Sequence, residues 1–212
     1  MTKKIGFIIL LAVLLSIGIK LVYVFILSEK VRKTEIEITD SDLDIVFGLD
    51  SASITVYLYY SYNCAFCRRF FDEAFQSLNS EYIENGKIKL VLKPVELTHD
   101  EFVLNSLKLV VCINKFGKVE KLNQLLIVDP KVVYTPEFDQ VLQEFIEMDM
   151  MVAECMLGGS SENYILANFI EFKQLELTGT PTFIINNRIY KGFKNYTILR
   201  EVIEKELSNA LS

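Results

Sequence analysis

The residues of this sequence best equipped for chemistry are two cysteines separated by two positions, in Cys64-Ala65-Phe66-Cys67. A thiol acts as a nucleophile in its thiolate form, and an ordinary cysteine, with a pKa of about 8.5, is mostly protonated at neutral pH. The unpaired N–H groups at a helix start behave like about half a positive charge and can bring such a thiol into the range of about 3.5 to 7.5. One helical turn on, a second sulfur comes close enough to close a disulfide. The pair is therefore suited to reversible disulfide exchange, with Cys64 as nucleophile and Cys67, deeper in the helix, as resolving partner. A CxxC is also half of a zinc site, but a second CxxC and a His-x-x-x-His are both missing, and the single histidine, His99, is remote in sequence. Two cysteines that simply pack are the weaker reading at a strand-to-helix junction. No metal and no other cofactor are expected.

The elements that must position this pair read clearly on either side of it. Ser53 to Tyr60 is rich in β-branched and aromatic residues, as a central strand buried on both faces should be. After it, Cys67, Phe70, Phe71, Ala74, Phe75 and Leu78 recur at the three- and four-residue spacing of one helical face. Asn85-Gly86 makes a turn, and Lys87 to Val95 reads as a second strand, parallel to the first if the helix is a crossover. From Leu97 to Leu177 the pattern is helical, which implies an inserted helical region. Thr98 with Glu101 forms a capping box ahead of Phe102 to Phe116, and Thr135-Pro136-Glu137 marks the start of a run from Phe138 that Gly158-Gly159 closes. Ser160 or Ser161 opens the next run. Thr182 to Ile185 and Arg188 to Tyr190 flank Asn186-Asn187 as a hairpin, and Tyr196 to Leu207 closes as a helix with Ile198, Val202 and Ile203 facing inward.

The chain has 212 residues, enough for one folded domain and an accessory segment. Its 51% hydrophobic content against 24% charged residues excludes extended disorder. A net charge of -6 without a basic stripe argues against nucleic-acid binding. At the N-terminus, Lys3 and Lys4 precede an apolar run from Ile5 to Leu27 whose only charge is Lys20. A bilayer core takes about 20 apolar residues as helix, whereas a signal-peptide core runs about 7 to 15. Bulky Tyr23, Phe25, Ile26 and Leu27 leave no small-x-small cleavage site, so an uncleaved anchor over residues 1–28 is expected, with a signal segment as the alternative. Residues 29–43 are polar and read as a tether, and the folded domain spans 44–212. Lys30, Arg32 and Lys33 balance the N-terminal charges, so orientation rests on cysteine content, which favours an oxidising compartment.

Two separated motifs carry a resemblance to a known family. Tyr59-Tyr60-Ser61-Tyr62-Asn63-Cys64-Ala65-Phe66-Cys67-Arg68-Arg69-Phe70, followed by Thr178-Gly179-Thr180-Pro181-Thr182-Phe183-Ile184-Ile185-Asn186, resembles the DsbA-like disulfide oxidoreductases of bacterial envelopes over roughly Asp44 to Leu207. The resemblance implies an α/β thioredoxin-like fold with an inserted helical domain at about 97–177, here preceded by one transmembrane or signal-anchor helix. It implies a cis peptide at Pro181 facing the CxxC, with Thr180 and Pro181 binding an extended substrate strand through the backbone of Thr180. It also implies oxidation of reduced exported proteins, reoxidation by a quinone-linked thiol oxidase of the membrane, and an inner-membrane location with the catalytic domain in the periplasm. Isomerase or reductase activity of the same site remains an alternative, as does a non-catalytic chaperone or metal-handling module.

The sequence departs from the family in two places. Many relatives carry an acid in the strand before the CxxC, where Tyr57 and Leu58 stand here, and no histidine lies between the cysteines. The first leaves proton transfer at the buried cysteine without the family's acid, and the second removes one stabiliser of the thiolate, which points to a less extreme redox potential than that of the strongest oxidases. Cys112 and Cys155 lie in the helical region, where some relatives have a structural disulfide. They either pack as apolar residues or form such a bridge.

Overall fold

The computed structural model describes residues 15–23, 37–115 and 130–210. Residues 15–23 are helical with apolar side chains exposed, and the rest of the expected anchor lies outside the described residues. Among the described residues no helix is long and apolar enough to cross a membrane. Of the stretch read as a tether, residues 29–36 also lie outside the described residues. From Ile38 the chain belongs to the second compact unit, and Thr39 already donates its N–H to Glu171 at 2.6 Å.

Ile54–Tyr60 forms the central strand (β2), because β-branched and aromatic side chains suit a pleated surface covered on both sides. Five strands lie in the order β1-β3-β2-β4-β5, with β1 at Ile45–Phe47, β3 at Ile88–Pro94, β4 at Thr182–Ile185 and β5 at Arg188–Lys191. β2 and β3 are parallel, as a helical crossover between them requires, and Tyr59 pairs with Lys93. β4 runs antiparallel to β2, with Leu58 opposite Phe183. The β4–β5 hairpin turns at Asn186 and Asn187, both at positive φ (47° and 60°), the geometry that favours asparagine in two-residue turns.

Strand alternation sends Tyr59 and Tyr60 to opposite faces. Tyr60 meets Phe71 of the crossover at 5.6 Å between ring centres, while Tyr59 meets Phe172 of a helix on the other face at 5.8 Å. The crossover begins with α1 (Ala65–Phe70) and continues through a π turn (Phe71–Phe75), a short α segment (Gln76–Leu78) and a second π turn (Asn79–Ile83). Each π turn advances the face, so Cys67, Phe70, Ala74 and Leu78 are buried while Phe71 and Phe75 lie only partly covered.

The insert contains α2 (Glu101–Asn114), a 3₁₀ turn (Pro130–Tyr134), α3 (Pro136–Met148), α4 (Met150–Leu157) and α5 (Ser160–Gln174), and α6 (Tyr196–Ala210) closes the fold. Several expected details differ. β1 was not anticipated, since three residues carry too little pattern. Thr98 does not cap α2: its N–H and hydroxyl are taken by the carboxylate of Glu96, and Asp100 caps the helix by accepting from Phe102 and Val103. The run from Phe138 to Gly158 breaks at Asp149, whose extended backbone and side chain cap α4 through Met151 N. Gly159, at φ 78°, precedes α5, and the hydroxyls of Ser160 and Ser161 turn back to Cys155 O. In α6 the buried residues are Leu199, Ile203 and Glu206, and Ile198 is exposed. Ile203 and the half-buried Val202, which packs against the core, face inward as expected, and Leu199 takes the place expected of Ile198.

Cys112 of α2 and Cys155 of α4 are joined by a disulfide with an S–S distance of 2.05 Å. On the sheet face that meets α5, Lys93 is almost fully buried. Its ammonium lies 3.0 Å from Asp44 and also donates to Thr39 O. Asp44 accepts from Tyr164 at 2.6 Å, and Glu171 accepts from Tyr59 at 2.5 Å. This network pins residues 39–44 to β2, β3 and α5. A buried cation remains charged only where such partners replace its water.

Candidate active site

β2 delivers the chain to a turn in which Cys64 N donates to Ser61 O at 3.2 Å. Cys64 then stands as the N-cap of α1, extended at φ −85° and ψ 112°, and its carbonyl accepts from Cys67 N and Arg68 N. No side chain caps the helix start. The Cys64 sulfur therefore occupies the place that a serine or aspartate oxygen fills elsewhere, facing the amides of the first turn. Cys64 is half-buried and Cys67 is buried, and both are free thiols.

The loop before β4 closes the site from the opposite side. The Thr180–Pro181 peptide is cis, Pro181 O accepts from Gly192 N at 2.9 Å, and the Thr182 hydroxyl donates to Gly179 O. The Cys64 thiol donates to Thr180 O at 3.1 Å. The structure thus brings together Cys64, Cys67, Thr180 and Pro181, which come from two motifs far apart in sequence. Cys112 and Cys155 lie in the helical insert and form their own bond.

The two thiols are pushed in opposite directions. Cys64 is lowered from 9.0 to about 5. The largest cause is the hydrogen bond donated by Cys67, which outweighs partial burial, and Thr180 and the N–H groups of Cys67 and Phe66 add to it. The expected amide contribution is present, but the neighbouring thiol contributes more. Cys67 is raised far above the ordinary thiol range, first by burial and then by its hydrogen bond to Cys64 and that sulfur's charge. The Thr180 carbonyl accepts from the protonated Cys64, and Thr180 is also among the groups that lower the Cys64 pKa. Arg68 donates to Tyr62 O at 3.1 Å and Arg69 pairs with Glu73, so both helix-face arginines have partners of their own. Among the described residues no group of three metal-ligating side chains gathers.

Sequence spacing gave no sign of a second set of polar groups next to the turn. Asn63 reaches Thr98, 35 residues on, and Thr98 is held by Glu96. Pairings of that separation have no local signature.

The family model described as Thioredoxin matches residues 40–205 of the chain. Among curated proteins none matches in sequence. Similar solved structures include Wolbachia pipientis alpha-DsbA1 (TM-score 0.67, 19% identity, 82% of this chain and 96% of that one). The catalytic domain of Proteus mirabilis ScsC gives 0.64 and 18%, over 80% and 92%. Oxidised BdbD from Bacillus subtilis gives 0.61 and 19%, over 78% and 94%. The chain belongs to the thioredoxin family and has the fold of its DsbA-like thiol:disulfide oxidoreductases, a thioredoxin sheet carrying a helical insert.

Proposed function

We propose that the protein introduces disulfide bonds into reduced exported proteins. In its oxidised form the Cys64–Cys67 disulfide is attacked at the Cys64 sulfur by a substrate thiolate. Cys67 leaves and takes up a proton, and a mixed disulfide joins substrate to Cys64. A second substrate thiolate then attacks the substrate sulfur, releasing Cys64 as thiolate and the substrate as disulfide. Two electrons have passed to the enzyme, and a quinone-linked thiol oxidase of the membrane removes them. The observation that carries this reading is the opposed ionisation of the pair. A Cys64 thiolate stable at neutral pH is a good leaving group, which favours passing the disulfide on.

The backbone of Thr180, beside the reactive sulfur, is suited to pair with an extended substrate segment through main-chain hydrogen bonds that read little sequence. The apolar run from Ile5 to Leu27 would serve as an inner-membrane anchor, with the catalytic unit in the periplasm. Carbonate-resistant membrane association of the full chain supports that placement, and release from the membrane contradicts it.

The test is oxidation of a reduced, unfolded two-cysteine substrate by stoichiometric oxidised protein. Rapid loss of substrate thiols that Cys64→Ser abolishes supports the oxidase reading. Activity confined to rearranging a scrambled substrate would assign an isomerase, and binding unchanged in Cys64→Ser without thiol loss a chaperone.

A further inference from the structure

A chain of side-chain hydrogen bonds runs from the turn before Cys64 into the loop that opens the helical insert. The Ser61 hydroxyl donates to Asn63 Oδ1 at 2.7 Å. Asn63 Nδ2 donates to Thr98 Oγ1 at 3.4 Å. The Thr98 hydroxyl donates to Glu96 Oε1, whose carboxylate also accepts from Thr98 N and His99 N, each at 2.6 Å. Every donor points the same way, toward the carboxylate at the end, an arrangement in which each bond polarises the next. Ser61 and Glu96 are buried at the two ends, and Asn63 and Thr98 are exposed between them.

The placement gives the chain leverage on the sulfur. Ser61 O receives the Cys64 amide, and Asn63 is the residue directly before Cys64. In its extended cap conformation Cys64 has its sulfur at the first turn and within reach of Cys67, whose hydrogen bond and amide lower the Cys64 pKa. The Ser61 backbone also favours the Cys67 thiolate, so the same turn touches both members of the pair.

We propose that Asn63, Thr98 and Glu96 are positioning residues for Cys64: together they fix the turn that precedes α1 and so tune how readily Cys64 ionises and how oxidising the Cys64–Cys67 couple is. This rests on the reading of Cys64 as nucleophile given above. The 3.4 Å link between Asn63 and Thr98 is the longest and limits the effect to that of one modest hydrogen bond.

The test uses Asn63→Ala and Thr98→Val, with Thr98→Ser as rescue, since serine keeps the hydroxyl. Two quantities are read on the full chain: the Cys64 ionisation by thiolate absorbance, and the equilibrium of the couple with a glutathione buffer. Removing the link should raise the Cys64 pKa by about half a unit to one unit. A less stable thiolate makes the reduced form less favourable, so the equilibrium at pH 7 should move roughly threefold to tenfold toward the disulfide, about 15 to 30 mV more reducing. Thr98→Ser should match the wild type in both. Thr98→Val and Asn63→Ala that titrate with a depressed wild type would overturn this inference and leave the function standing. A wild-type Cys64 that titrates as an ordinary thiol would overturn both.

Discussion

Cys64 and Cys67 differ in ionisation because one donates to the other and only one is buried. Of the contacts around Cys64, the Cys67 hydrogen bond lowers its pKa most, so Cys67→Ala should raise the Cys64 pKa by about one unit, while Cys67→Ser, which still donates, should leave it close to the wild type. Thiolate absorbance against pH in the two variants checks this. A pH dependence of stability follows in the reduced protein. Cys64 is an acid whose folded value, about 5, lies below its unfolded value, 9.0. Its contribution is fully present above the unfolded value and is lost as pH falls through the folded one. Cys67 is raised instead and stays neutral through this range. The oxidised protein has neither ionisation, so the melting temperature of the reduced form should rise relative to the oxidised form between about pH 5 and pH 9, as calorimetry of both forms would show.

Among the elements, those with local signatures were legible. The apolar spacing after Cys64, the β-branched run before it and the Asn186-Asn187 turn each stand in the structure where the sequence suggests. Features that depend on a distant partner were hidden. Thr98 and Glu101 have the spacing of a capping box, yet Glu96, buried among backbone donors, binds Thr98 first, and Asp100 becomes the cap. The π turns that rotate the face after α1 have no residue signature either, which is why Phe71 and Phe75 looked as buried as Phe70. Least visible was the cluster of Lys93, Asp44, Tyr164, Glu171 and Tyr59, assembled from the segment before β1, from β2 and β3, and from α5. It supplies buried charge on the sheet face away from α1, where Tyr57 and Leu58 had suggested only that an acid was missing from β2. Lys93→Met removes the cation and leaves Asp44 buried without it, and should cost about 3 to 5 kcal/mol in urea unfolding.

At the scale of the unit that begins at Ile38, the sheet and the CxxC crossover carry a helical insert, and the disulfide ties α2 to α4 within that insert across a sequence separation of 43. Cys112 and Cys155 could have packed as apolar residues, since their spacing alone does not distinguish packing from pairing. Their meeting depends on how α4 folds back on α2. Replacing both by alanine should lower stability by about 2 to 4 kcal/mol, chiefly by freeing the unfolded chain, while thiol transfer at Cys64 persists below the new melting point. Chemical unfolding paired with the oxidation assay would separate these effects. The central claim is that the molecule holds one sulfur as a ready thiolate, and its most direct test is trapping. Reduced Cys67→Ser protein is mixed with a peptide disulfide over a range of pH, and the adduct is mapped by mass spectrometry. The account predicts a stable mixed disulfide at Cys64, forming at a rate that holds steady from neutral pH down toward about 5. An adduct rate that falls away below about pH 8.5, as for an unperturbed thiol, or no adduct at Cys64, would contradict it.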